Sequence, residues 1–574
     1  MAGGDGTDGD NQAMTPKARE SVVFLAVALG MAVLVALLSG VDDALVSRTY
    51  FLAQDRPGAL YAIAALIAVA LIAPRTPGWP QAMPRPRRVR AMAAAIVALL
   101  WAGTWLVMAN YPVSRDEHMA LFDAHVLAAG HLAQPLAPSW QPFAKALVPD
   151  FLMDVPGHRA LISSYLPVNA ALRALFGAVA DPALLNPLLT AAGLLALWRV
   201  ALRLFPTCPG AVWVCLGGYL LSAQILVTGM TGYAMTAHLT LNLVWLALFL
   251  RGGRWETVAA LAIGWLAMGL HQIVFHPLFA APFILSLLAE RRWRTFAIYT
   301  AGYGLAGLFW ASYPGLVLRE AGVLPAGGVG APQGLIARVL AILATPQPYA
   351  LPLMAYNLLR FAVWTPLFVL PLAALAWPTV RGNRGVALPL MAGVVLTLGA
   401  IAVLMPYQGH GWGYRYLHPV LGNLILLAGT GYQRWSQNAP RRAAATTAWL
   451  ALATAGLLPF LGWQAHVFVR PYAAMSQWIG RQRADFVVLD TEYPPQITDQ
   501  VRNLPDLSNR PLVFSSYELS GPALVELCRR GTVLPVPRGT FRAMGLLPAD
   551  TPDNALFPSR MAPLAGQGCV VPAR

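Results

Sequence analysis

Ala91-Met92-Ala93-Ala94-Ala95-Ile96-Val97-Ala98-Leu99-Leu100-Trp101-Ala102-Gly103-Thr104-Trp105-Leu106-Val107-Met108-Ala109 runs directly into Asn110-Tyr111-Pro112-Val113-Ser114-Arg115-Asp116-Glu117-His118. The first part carries no charge and is long enough for a helix to cross a bilayer core, which takes about 20 apolar residues. The second part sets two adjacent carboxylates where that span ends. Charge at a membrane surface is costly and is kept where it does something. A membrane span with an acid pair at its mouth is the pattern from which the rest of the chain is read.

Outward from that span, twelve more apolar runs follow the same rule. The thirteen are approximately 21–40, 58–73, 91–109, 183–200, 211–229, 237–250, 257–275, 277–289, 295–313, 353–377, 386–405, 419–432 and 445–463. The composition agrees: of 574 residues, 57% are hydrophobic and 11% charged. Soluble proteins are about 25% charged. The mean hydropathy is +0.56. A water-soluble globule and a disordered chain are both excluded. The net charge of +15 would suggest nucleic acid on a soluble protein. Here the charges are too few and too scattered to form a basic face.

Those charges have another use. With the N-terminus in the cytoplasm, the inner links are 74–90, 199–210, 251–256, 290–294, 378–385 and 433–444, a total of 60 residues with 17 arginines. The outer links 41–57, 110–182, 314–352 and 406–418 total 142 residues with 9 Lys and Arg. Basic residues gather on the cytoplasmic side of membrane proteins, so the count fixes an orientation. Residues 1–20 read as a disordered cytoplasmic tail, and the first apolar run as a retained helix. No signal-peptide cleavage site follows it cleanly.

Residues 21–463 therefore form the membrane domain, with large outer loops at 110–182 and 314–352. Residues 464–574 form an outer tail. Its short runs Phe486–Leu489, Pro511–Phe514 and Val533–Val536, with a helical stretch at Ala523–Arg530, suggest a small α/β module. The expected fold is an all-α polytopic membrane protein with a small C-terminal α/β extracytoplasmic domain, in a cytoplasmic membrane. Cys208 and Cys215 read as small buried hydrophobes. Cys528 and Cys569 can pair if the tail lies in an oxidising compartment. No internal repeat is apparent, which counts against a transporter built on repeats.

The acid pair admits two readings. A carboxylate held at the bilayer surface can act as general base toward a hydroxyl. Alternatively, Asp116 N-caps the amphipathic helix that follows it. That helix carries Phe122, Ala124, Val126 and Leu127 and ends at Gly130-His131.

An acidic pair in the first large outer loop, followed by an interface helix ending in Ala-Gly-His, resembles the GT-C membrane glycosyltransferases. These include the protein O-mannosyltransferases and the lipid A aminoarabinose transferases. Ser164-Tyr165-Leu166-Pro167-Val168-Asn169 with the helix Ala170–Phe176 is similar to the Tyr-x-Pro segment that closes the same loop. Tyr233–Asn242, with His238 entering the sixth run, is similar to the short central helices of the family. The resemblance spans about residues 110 to 430. The chain departs from it in having two further helices before the acidic loop. The resemblance implies a polyprenyl-phosphate-linked sugar as donor and an acceptor hydroxyl on a glycan, lipid or protein at the outer face. It also implies inversion at the sugar carbon, with Asp116 as the base and Glu117 sharing the role or orienting the acceptor or a metal. Tyr165 joins the substrate-binding set through its segment.

A departing phosphate needs fixed positive charge in a water-poor site. Tyr407-Gln408-Gly409-His410-Gly411-Trp412-Gly413-Tyr414-Arg415-Tyr416-Leu417-His418-Pro419 lies on the same face as the acidic loop. Its glycines let backbone approach a ligand, and its aromatic rings stack on sugars. Arg415 is the phosphate candidate because arginine binds phosphate bidentately, with His410 and Tyr414 beside it. The alternative is a glycine-rich connector with an interface belt of aromatics. Arg360, inside the tenth run, either snorkels to the interface or serves a ligand. His271 and His276 flank the break between the seventh and eighth runs. They meet lipid phosphate, join Glu117 around a divalent ion, or simply bond to backbone. No metal is required, and their spacing is not a metal signature. No phosphate-binding or dinucleotide motif stands in a strand–helix context, which disfavours a nucleotide-sugar donor. The competing classes are a transporter or lipid-linked sugar flippase, and a non-catalytic assembly protein.

Overall fold

The computed structural model describes residues 16–41, 45–72, 74–323, 349–383, 385–492 and 495–573. Positions 1–15 of the expected disordered tail and 324–348 of the expected outer loop lie outside the described residues. Each of the thirteen apolar runs coincides with helix along most of its length.

Among the described residues, six helices are long and apolar enough to cross a membrane: Glu20–Ser39, Val46–Ile72, Pro86–Leu106, Pro182–Leu204, Ala387–Leu404 and Pro440–Gly480. A seventh results if Ala350–Trp364 and Val369–Leu375, which meet at 98°, make one bent span. Three of the remaining runs form shorter apolar helices, Pro209–Leu220, Met235–Arg251 and Phe275–Ala289, while the ninth lies in the 28-residue helix Trp293–Glu320. Apolarity alone could not predict the bend in the tenth run. Its cause is Pro366, which drives Thr365 into extended backbone (φ −94°, ψ 141°) and ends the helix. The Leu367 N–H freed there donates to Thr454 Oγ1 at 3.0 Å, so the break is satisfied by protein, as broken backbone at membrane depth must be.

The helices share one large apolar core that runs from Phe24 to Val469. Their outer faces stay greasy. Leu71, Leu106 and Leu305 are 71%, 74% and 69% exposed, which suits lipid contact and not water.

The sheet forms as expected in the tail. Leu512–Ser515, Phe486–Leu489 and Val533–Val536 lie side by side in that order, all parallel. Val487 faces Val513 on one side and Leu534 on the other. Parallel strands need crossover connections, and the helix Gly521–Arg530 carries the chain from one edge strand, Leu512–Ser515, past the central strand to the other edge, Val533–Val536. Cys528 and Cys569 are joined by a disulfide. Two features tie this tail to the rest. The helix Pro440–Gly480 passes the expected boundary at 463/464 without a break. The sheet also shares a core with the first outer loop: Phe122, Val126 and Leu147 pack in one cluster with Phe486, Phe514 and Leu527.

Candidate functional site

The acidic helix, Arg115–Ala128, begins shortly after the end of the apolar helix Pro86–Leu106. Ala109 and Asn110 take left-handed backbone there, φ 51° and 45°. The helix is capped by Ser114, whose Oγ accepts from the Glu117 N–H at 3.3 Å. The Glu117 carboxylate reaches back to accept from Val113 N–H at 3.1 Å and Ser114 N–H at 3.4 Å. Ser114-x-x-Glu117 is thus a capping box. Asp116 is not the cap.

The two acids consequently part company. Glu117 is 1% exposed, and its other oxygen accepts from Gly232 N–H at 2.8 Å, tying the helix to the chain before Met235–Arg251. Burial pushes its carboxyl above the ordinary value despite these bonds. Asp116 turns into a cleft. Its Oδ2 lies 2.5 Å from Arg415 Nη1, and its Oδ1 accepts from the Tyr165 hydroxyl. Burial alone would raise its pKa. The Arg415 charge, His271 and the two hydrogen bonds outweigh that and hold the carboxyl below its usual range.

Arg415 owes its place to the glycine-rich loop. Its backbone N–H donates to Gln408 Oε1 at 2.9 Å, and its Nη2 donates to the Gln408 carbonyl. Gly411 sits at φ 156°, and a Cβ there would overlap the Arg415 side chain. The guanidinium lies 4.6 Å from the Tyr233 ring centroid and 5.6 Å from that of Tyr416, within cation–π range. Its Nε has no hydrogen-bond partner, so a donor remains for a ligand.

The cleft in front of Asp116 encloses about 350 Å³, including space open to solvent, and its walls include Asp123, Tyr165, Tyr233 and His271. The His271 ring lies tilted beside Tyr165 with centroids 4.7 Å apart, and among the described residues neither of its nitrogens has a hydrogen-bond partner. A second cleft of about 540 Å³ shares Asp123, Tyr165 and Leu166 with the first and reaches Tyr313 and Val317. Asp123 sits at their junction. Burial pushes its pKa up to about 7, against a smaller opposing effect from a hydrogen bond with Ser163.

Asp116, Arg415, Tyr165 and His271 are therefore brought together, and the other sequence candidates are not. Arg360 is fully buried against Asp55 at 2.9 Å, with its guanidinium 4.3 Å from the Tyr50 ring centroid. It is a partner inside the helix bundle and does not snorkel. His276 binds Asn242 Oδ1 at 2.7 Å and the Tyr303 hydroxyl at 2.5 Å. Tyr414 is buried, with its N–H donating to Gln224 Oε1 at 3.0 Å. His410 lies 3.1 Å from Asp499 of the tail. Among the described residues no three His, Cys, Asp or Glu side chains gather where they could hold a metal ion, so Glu117, His271 and His276 do not form such a set.

Three contributors were not read from the sequence. Asp123 stands seven residues after Asp116, two helical turns along the same face, and that spacing was the available signal. Gln408 and Tyr233 carried no signal of their own, because they act only through the folded position of Arg415.

Fold and site together define an integral-membrane protein in which the helix after the third apolar run offers a carboxylate, clasped by arginine and tyrosine, to a cleft. No family model and no curated protein matches the chain. Among solved structures it is similar to ArnT from Cupriavidus metallidurans. Against the apo state the TM-score is 0.45 at 13% identity, covering 72% of this chain and 84% of that one. Against the form bound to undecaprenyl phosphate the TM-score is 0.47 at 14% identity, covering 73% and 85%.

Proposed function

We propose that the chain is an integral-membrane glycosyltransferase that moves a sugar from a polyprenyl-phosphate donor to an acceptor hydroxyl outside the cytoplasm. The observation that carries this reading is the Asp116–Arg415 pair, with Asp116 in the wall of a cleft that Tyr165 and His271 also line. The motif resemblance of the acidic loop and of Tyr165 supports it.

In this reading Asp116 takes the proton of the acceptor hydroxyl. The acceptor oxygen bonds to the anomeric carbon as the bond from that carbon to the phosphate oxygen breaks, so the carbon inverts. Arg415 takes up the charge of the leaving lipid phosphate. The ion pair gives these roles an order. While Arg415 holds Asp116, the carboxylate is a weak base. A phosphate that competes for the guanidinium frees the carboxylate, so donor binding arms the base. Tyr165 keeps the carboxylate aimed, and His271 offers unpaired nitrogens to the sugar or phosphate. Glu117 fixes the helix and does not share the chemistry. The orientation with the tail outside agrees with the arginine count in the inner links and with the Cys528–Cys569 bond, which suits an oxidising compartment.

The test is transfer from a panel of labelled undecaprenyl-phosphate sugars by purified protein in lipid. Asp116→Asn is expected to fold and to lose at least about 100-fold in rate, the usual weight of general-base catalysis. Near-normal transfer by that variant would remove Asp116 from the role of base. No transfer by the wild type from any donor in the panel would overturn the assignment as a whole.

A further inference from the structure

The tail segment Ile497–Arg502 touches both sides of the Asp116–Arg415 pair. On the acidic side, Arg115 is 4% exposed and donates Nη1 to the Val501 carbonyl at 2.7 Å and Nη2 to the Thr498 carbonyl. Arg502 donates to the Val113 carbonyl at 3.3 Å, and its guanidinium lies 4.2 Å from the Tyr111 ring centroid. These contacts fall on the residues that lead into Asp116. On the other side, Asp499 is 7% exposed and places Oδ2 at 3.1 Å from His410 Nε2. His410 stands five residues before Arg415, and its carbonyl accepts from the Tyr233 hydroxyl at 3.3 Å. Tyr233 is the ring beneath the Arg415 guanidinium.

We propose that this tail segment is a positioning device for the site, with Asp499 acting on Arg415 through His410 while the Thr498 and Val501 carbonyls act on Asp116 through Arg115. The inference rests on the reading of Asp116 and Arg415 as the reacting pair and assigns the C-terminal region a part in it. The physical need is plain. Arg415 ends a loop rich in glycine, which does not hold a side chain rigidly by itself. Asp116 follows a left-handed turn at the start of a helix. Reacting groups must be held to within about 0.5 Å. A tail attached only for packing would need the apolar contacts of its sheet alone. Here buried polar groups of the tail reach to positions flanking both partners, and a buried polar group that loses its neighbour is left unsatisfied.

The test uses the full chain in lipid. Asp499→Asn is expected to lower kcat for transfer from an undecaprenyl-phosphate sugar by about 10- to 100-fold, the scale of a small misplacement. KM for the donor should stay within about twofold of wild type, and Asp499→Glu should recover part of the loss. A second measurement needs no activity. The Tm shifts of Asp499→Asn and Asp116→Asn should fail to add in the double variant, because coupled sites are non-additive and distant ones are not. Unchanged kcat, a change in KM alone, or additive Tm shifts would overturn the proposal. If Asp499→Asn does not fold, His410→Gln reads the same link from the other side with the same outcomes. Absence of transfer by the wild type, with the Tm coupling intact, would overturn the glycosyltransferase reading and leave the positioning link standing.

Discussion

Asp116 has Arg415 on one oxygen and Tyr165 on the other, while Glu117 spends both oxygens on backbone N–H groups. Adjacent carboxylates on a helix point about 100° apart, since a turn takes 3.6 residues. One can therefore face a cleft while the other caps the helix. Asp123 returns to the cleft side and, unlike Asp116, has its pKa raised, to about 7. The sign of its linkage follows. The folded state holds this proton more tightly than the unfolded chain, where the pKa is about 3.9. Its contribution to stability is fully present below that value and is lost as pH rises through about 7. Asp123→Asn, which stays neutral, should match wild type in Tm near pH 4 and become progressively more stable than wild type toward pH 7, with the gap levelling off above it. Thermal unfolding across that range checks it. A constant Tm difference would mean that Asp123 does not titrate there.

At the scale of elements, the glycine-rich loop and the buried helix pair answer to different forces. Gly411 is needed both for its left-handed backbone and for the space that the Arg415 side chain fills. Gly411→Ala should displace Arg415, lowering Tm and cutting transfer at least about tenfold, on the scale of misplacement costs. A fully active, equally stable variant would show that Arg415 does not need the loop in this shape. Inside the bundle, the Asp55–Arg360 pair joins Val46–Ile72 to Ala350–Trp364, with side chains 1% and 0% exposed. Asp55→Asn leaves an uncompensated buried guanidinium and should cost about 3–5 kcal/mol. Replacing both by apolar residues, Asp55→Leu with Arg360→Met, should restore most of the loss. Unfolding in detergent would measure both. Arg360 looked like a ligand group because its partner lies 305 positions away in the chain, and no local pattern announces such a pairing.

For the molecule as a whole, the tail is bound to the membrane part three times over. A continuous helix leads into it, its sheet packs on the first outer loop, and Ile497–Arg502 grips the site. Its own closure is covalent, through Cys528 and Cys569, which stand 41 positions apart. Loops of that length gain about 2–4 kcal/mol from a disulfide. Cys528→Ser should lower the stability of the tail by that amount, seen as earlier cleavage there in limited proteolysis. If the site depends on the tail, transfer should decline over the same temperature range. A variant with the tail loosened and transfer untouched would separate the two.

The sequence by itself determined the apolar helices, the small parallel sheet and the acidic motif with its Tyr165 segment. Each is written in consecutive residues, as apolar length, β-rich runs or an acid pair, and solvent or lipid acts on those directly. It also held the capping box Ser114-x-x-Glu117 and the seven-residue spacing of Asp116 and Asp123, which are local patterns of the same kind. Only the tertiary structure decided that Arg415 belongs to Asp116 and Arg360 to Asp55, that His276 is committed elsewhere, and that the tail closes on the site. The two ion pairs join charges 299 and 305 positions apart, and His276 meets partners on other helices. The energy of such a pair depends on distance and burial, and neither exists until the chain has folded.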